Sequence, residues 1–123
     1  MELKLYKSAS GELAVALLNA GSQTAFGAEP MTEVIPGTTD AAVEKHVPVA
    51  AVDGNKVAVT VGSVEHPMTP AHYIEWIAIK TKRGVALRTL EPETPPKAEF
   101  TLEDGDELVD VYAYCNLHAL WKA

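Results

Sequence analysis

Turn-forming residues break this chain at short intervals, and that punctuation is the strongest constraint on its fold. Residues 8–11, 19–22, 36–40, 53–55, 82–84, 92–96 and 103–106 concentrate Gly, Pro, Asn, Asp and Ser. The stretches between them read as short β segments, rich in β-branched and alternating apolar residues. Strands are expected over residues 2–7, 12–18, 48–52, 56–61, 73–81, 85–90, 98–102 and 108–114. The run around Val57, Val59 and Val61 is β-branched and follows Asp53-Gly54-Asn55, so it forms a hairpin with the preceding strand. The 73–81 run carries apolar residues on both faces, the mark of a central strand. Residues 41–45 allow one helical turn before Pro48 ends it. The expectation is an all-β protein: a β-sandwich preceded by a small N-terminal β segment, with a small domain at 1–36 and the main domain at 37–123.

A chain of 123 residues holds one ordinary core and a small appendage. With 47% hydrophobic residues it can bury enough apolar surface to fold. The formal net charge of −7 argues against nucleic acid as a partner, because phosphate binding rests on clustered Lys and Arg. No apolar run reaches the roughly 20 residues of a membrane span, so no membrane partner is expected. The first residues mix both charge signs, unlike a signal peptide. A lone cysteine calls for no oxidising compartment, which makes the cytoplasm the expected location.

Chemistry concentrates in the C-terminal two-thirds. The histidines are His46, His66, His72 and His118, and the one cysteine is Cys115. Each falls in a loop or at a strand edge, and Cys115-Asn116-Leu117-His118 lets one loop present a thiolate and an imidazole together. Singly, such residues are more often surface or core side chains; as a cluster they point to a metal. Five ligands exceed the four of a structural zinc site, and the mix of imidazole and thiolate suits iron or copper. Five protein ligands also leave one octahedral position for a small molecule.

Four segments resemble the superoxide reductases, the desulfoferrodoxin and neelaredoxin family. Glu44-Lys45-His46-Val47-Pro48 is similar to the family's Glu-Lys-His-x-Pro, and His66-Pro67-Met68 to its His-Pro-Met. His72-Tyr73-Ile74-Glu75-Trp76 is similar to its His-x-Ile-x-Trp, and Cys115-Asn116-Leu117-His118 to its Cys-Asn-x-His. The resemblance implies an immunoglobulin-like β-sandwich holding one non-haem iron, with His46, His66, His72 and His118 equatorial and Cys115 axial. It implies one-electron reduction of superoxide to hydrogen peroxide, fed by an electron donor such as a rubredoxin-like protein. Lys45 would draw the superoxide anion to the site, and Glu44 would cap the open position once the iron is ferric.

The N-terminal segment departs from that family's two-iron form. Tyr6-Lys7-Ser8-Ala9-Ser10-Gly11 and Phe26-Gly27-Ala28-Glu29-Pro30-Met31 resemble a desulforedoxin-like domain whose four cysteines hold a second iron, yet all four are absent here. The segment is expected to keep a β scaffold without that centre; dimer packing is a role open to it, which would make a homo-oligomer. Two other readings compete. A cupredoxin-like electron carrier also places Cys and His in a C-terminal loop, but it leaves two histidines unused and no methionine follows His118. A metal-free immunoglobulin-like binding module explains the strands but not the ligands.

Overall fold

A computed structural model describes residues 3–16, 25–26 and 29–123. Glu2, the end of the second expected strand at 17–18, the 19–22 turn and Gly27-Ala28 lie outside the described residues. The chain divides into two compact units, Met1–Ile35 and Pro36–Ala123.

In the first unit, β1 (Lys4–Ser8) pairs antiparallel with β2 (Leu13–Ala16) and with β4 (Glu29–Val34), which also pairs with β3 (Ala25–Phe26). The sheet order is β2-β1-β4-β3. Leu5 and Met31 are buried. The turn between β1 and β2 closes on hydrogen bonds: the Glu12 N–H donates to Ser8 Oγ at 3.1 Å, and the Ser8 and Ser10 hydroxyls meet at 3.0 Å. Gly11 takes the positive φ of 93° that this reversal needs.

The second unit opens with α1 (Val43–His46), a single turn that ends as expected before Pro48. Two antiparallel sheets follow. One has the order β5-β6-β9, built from Pro48–Asp53, Lys56–Val61 and Lys97–Thr101. The other has the order β11-β10-β7-β8, built from Ala119–Lys122, Leu108–Cys115, Ile74–Thr81 and Val85–Thr89. The inner faces bury Val57, Val59, Val61 and Phe100 of one sheet against Ile74, Ile77, Ile79, Val111, Ala113 and Cys115 of the other. This is the all-β, immunoglobulin-like sandwich, and β7 is central to its sheet.

In the first unit β3 and β4 lie outside the strands expected from sequence, and in the second unit two features differ from the sequence reading. Strand β11 was not expected, because only four residues separate His118 from the last residue. It forms because β10 reverses through 116–118 and pairs with it from Cys115↔Ala119 to Tyr112↔Lys122. The alternation along β7 is also broken. Tyr114 opposes Trp76 while Cys115 opposes Ile74, so β7 carries one extra residue at Glu75. Such a bulge shifts the side-chain phase, and it turns both Ile74 and Ile77 into the core.

Candidate metal centre

Each of the five candidate ligands is held by a different local device. His46 ends α1, whose base is fixed by the turn after β6: the Val64 N–H donates to the Glu44 carbonyl at 3.0 Å, and Gly62 N–H to the Val47 carbonyl at 3.3 Å. Gly62 has φ +87°, and a Cβ there would lie 2.1 Å from the Val64 carbonyl oxygen and 2.8 Å from that of Lys45. Only glycine allows this approach. His66 follows in the same turn, with its N–H on the Val61 carbonyl. His72 sits in a bridge with Thr69 just before β7. Cys115 is the last residue of β10 and is fully buried in the core. His118 lies in the tight reversal to β11, where Ala119 adopts a positive φ of 61°.

These side chains converge. Their nearest ligand atoms all lie within 4.8 Å of one another. The four imidazoles stand edge-on around a square: His46 to His66 is 4.6 Å between centroids, His66 to His72 4.6 Å, His72 to His118 5.0 Å and His118 to His46 4.9 Å. The interplanar angles around it run from 78° to 85°, while the diagonal from His46 to His72 is 6.3 Å at 30°. The sulfur comes from the core, with Cys115 Sγ 3.8 Å from His118 Nδ1.

The ring nitrogens show what such a cluster accommodates. His46 Nδ1–H donates to the Ala42 carbonyl at 2.7 Å and His66 Nδ1–H to the Pro67 carbonyl at 2.6 Å. Those bonds fix the tautomer and leave both Nε2 atoms as lone-pair donors. Yet the two Nε2 atoms lie 3.1 Å apart, and His46 Nε2 is 3.1 Å from His118 Nδ1. His72 Nε2 is buried with no hydrogen-bond partner. Crowded lone pairs and an orphaned buried nitrogen are unfavourable alone but are what a cation among them relieves. The ligand set therefore fits a metal, through Nε2 of His46, His66 and His72, Nδ1 of His118, and Sγ of Cys115.

Electrostatics point the same way. Burial is the main cause lowering the pKa of His46, His66 and His72, and brings His66 to about 4. Neighbouring imidazoles add to the effect, and the Lys45 charge opposes protonation of His46 and His72. All three stay neutral near pH 7, the form that binds metal. Burial raises the Cys115 thiol, against N–H groups of Leu117 and His118 that favour its anion.

Glu44 and Lys45 are exposed on α1 and are not among the converging groups. Sequence reasoning gave no role to two residues that touch the ligands. The Trp121 indole packs on the His46 ring at 4.8 Å, and its Nε1–H donates to the His118 carbonyl at 2.9 Å. The Asn116 side chain reaches the backbone on both sides of His72. Asn116 lies inside the Cys-x-x-His segment, but no sequence pattern says where its amide points.

Comparison with known proteins gives one consistent picture. The Desulfoferrodoxin family profile matches residues 38–123. A desulfoferrodoxin of Clostridium acetobutylicum is 47% identical over 124 residues, covering 99% of this chain and 96% of that protein. A desulfoferrodoxin homolog of Archaeoglobus fulgidus is 43% identical over 122 residues, covering 98% and 96%. Among solved structures, the superoxide reductase from Treponema pallidum is 42% identical with a TM-score of 0.84, covering 100% of this chain and 99% of that one. The one-iron superoxide reductase from Giardia intestinalis is 35% identical with a TM-score of 0.57, covering 65% of this chain and 95% of its own.

Proposed function

The chain belongs to the desulfoferrodoxin family, and from that premise we propose that it is a superoxide reductase whose iron is held by His46, His66, His72, His118 and Cys115. The observation that carries this is the square of four imidazoles over a buried sulfur, with their lone pairs turned on one point. Bound iron would supply a one-electron couple, the chemistry that converts superoxide, with two protons, to hydrogen peroxide, the electron being replaced by a donor.

The chain's own residues set the terms of that chemistry. The Nδ1–H bonds of His46 and His66 to backbone carbonyls hold the rings in place and raise their basicity. Cys115 delivers its sulfur from the apolar core, where water is excluded, and the N–H groups of Leu117 and His118 stabilise its anion. His72 and His118 are only partly buried, so a small substrate would reach the cluster from their side. Lys45 has no ion pair among the described residues, so its charge is available to attract a small anion. Glu44 supplies an oxygen donor beside His46, the kind of ligand that ferric iron favours over ferrous.

The first unit is assigned as a desulforedoxin-like scaffold without its iron, spanning residues 1–36 ahead of the iron-binding domain at 37–123. No helix among the described residues is long and apolar enough to cross a membrane. We assign the protein to the cytoplasm, with a rubredoxin-like protein as electron donor. A blue-copper site is disfavoured because four rings converge rather than two, and Met68 Sδ accepts the Ile74 N–H.

The test is metal analysis and spectroscopy after anaerobic loading with ferrous iron. About one iron per chain is expected, with a thiolate-to-iron absorption on oxidation that disappears in Cys115→Ser. Superoxide should be consumed without evolution of oxygen. Copper in place of iron, or an unchanged spectrum in Cys115→Ser, would refute the assignment.

A further inference from the structure

Three of the four imidazoles are restrained at or beside the ring. His46 and His66 each donate Nδ1–H to a carbonyl, and the carbonyl of His118 is held by the Trp121 indole. His72 differs. Among the described residues its ring makes no hydrogen bond, and its Nε2 is buried without a partner. Apart from edge contacts with the His66 and His118 rings, its placement is set through its backbone.

That backbone is gripped from two sides. The N–H and carbonyl of His72 itself bond to Thr69, at 3.1 and 2.9 Å. The residues flanking it are held by Asn116. Tyr73 N–H donates to Asn116 Oδ1 at 3.0 Å, Asn116 Nδ2–H donates to the Ala71 carbonyl at 3.0 Å, and Asn116 N–H donates to the Tyr73 carbonyl at 3.2 Å. The last pair in the β7–β10 ladder is Cys115↔Ile74. Beyond it one backbone bond remains, Asn116 N–H to the Tyr73 carbonyl, and the Asn116 side-chain amide extends the pairing with one donor and one acceptor. Because Asn116 is bonded to Cys115, the same clamp fixes the His72 Cα relative to the sulfur.

We propose that Asn116 is the positioning residue for His72, setting the distance between that imidazole and the Cys115 thiolate. This rests on the iron assignment made above. A local turn residue would stabilise the 116–118 reversal and affect every ligand alike. Asn116 Oδ1 also lies 4.0 Å from Cys115 Sγ, a long contact that Asn116→Asp keeps. A positioning residue acts chiefly through His72, and the two cases differ in a double-mutant cycle.

The experiment measures release of Fe2+ from the loaded protein to a chelator under anaerobic conditions, together with the visible and electron-spin spectra of the oxidised form. Asn116→Ala should release iron about 10-fold or more faster, within the range seen when groups that orient metal ligands are removed. It should keep its thiolate-to-iron band while its ferric electron-spin spectrum changes. Amide exchange of Tyr73 in the variant should quicken as its acceptor is lost. In a His72→Ala background, adding Asn116→Ala should change release less than about twofold. If Asn116→Ala does not fold, Asn116→Asp, which keeps the acceptor for Tyr73 and loses the donor to Ala71, enters the same cycle. An equal increase in both backgrounds, or wild-type release in the single variant, would overturn the positioning role and leave the iron centre intact. Wild-type release in His72→Ala would instead remove His72 from the ligand set, and the proposal with it.

Discussion

Lys45 carries its charge one residue before a ligand, on a chain whose formal net charge is −7. A small anion approaching such a molecule meets a repulsive far field, so fast capture requires a local positive patch. Lys45→Ala is expected to slow the bimolecular reaction with superoxide by about 10-fold and flatten its salt dependence. Glu44→Ala is expected to leave that step nearly unchanged and alter only the oxidised spectrum. Pulse radiolysis at two ionic strengths separates the two; a wild-type rate in Lys45→Ala would leave attraction to the metal alone. The buried imidazoles give a second prediction, for the metal-free chain. In the folded state His46, His66 and His72 titrate below their ordinary 6.5, with His66 near 4. The unfolded state thus binds more protons between about pH 6.5 and 4, so stability should fall as pH falls through that window. Cys115, raised above its ordinary 9.0, works at the other end and removes stability as pH rises past that value. Urea midpoints of the apoprotein at pH 7 and 5 check this, and equal midpoints would contradict it. The five converging side chains were legible in the sequence because His and Cys are chemically distinctive and fall in spaced motifs. Asn116 and Trp121 were not, since what matters is the carbonyl or ring each one touches.

Elements bring these residues together, and the turn after β6 is the one most dependent on a single residue. Gly62 packs against the carbonyls of Glu44 and Lys45. Gly62→Ala should cost about 2 kcal/mol or more, from strain at positive φ and from displacement of α1. It should also weaken iron retention, because His46 rides on that helical turn. Thermal unfolding of the apoprotein and iron release from the loaded form measure the two effects, and a variant with wild-type values in both would show that α1 is seated by other contacts. Strands with β-branched alternation, such as Lys56–Val61, were readable to the residue. The bulge at Glu75 and strand β11 were not, because both arise from the partner strand β10: the register of one, and the reversal that creates the other. In the N-terminal unit the pattern of turn and strand survives the loss of cysteines. Hydroxyls of Ser8 and Ser10 and the Glu12 N–H close the turn with hydrogen bonds, so a metal is not needed to make that hairpin.

At the scale of the whole molecule, the proposed ligands are scattered along the chain. His46 and His118 are 72 residues apart, and His46 and His66 are 20 apart. They meet only when α1 has docked on the β6 turn and β10 has paired with both β7 and β11. Short zinc modules behave differently, because their closely spaced ligands let the ion organise an otherwise unfolded chain. Here the geometry for capture does not exist before the sandwich closes, so the metal cannot serve as a nucleus. Ferrous iron should therefore leave the refolding rate unchanged and slow the unfolding rate, acting on the native side of the barrier only. Anaerobic stopped-flow refolding with and without iron tests this, and acceleration by the metal would mean that part of the ligand set forms early. The order of events also bears on quality control: a newly made chain can be complete, folded and protease-resistant while still inactive, so its abundance reports synthesis and its activity reports iron supply.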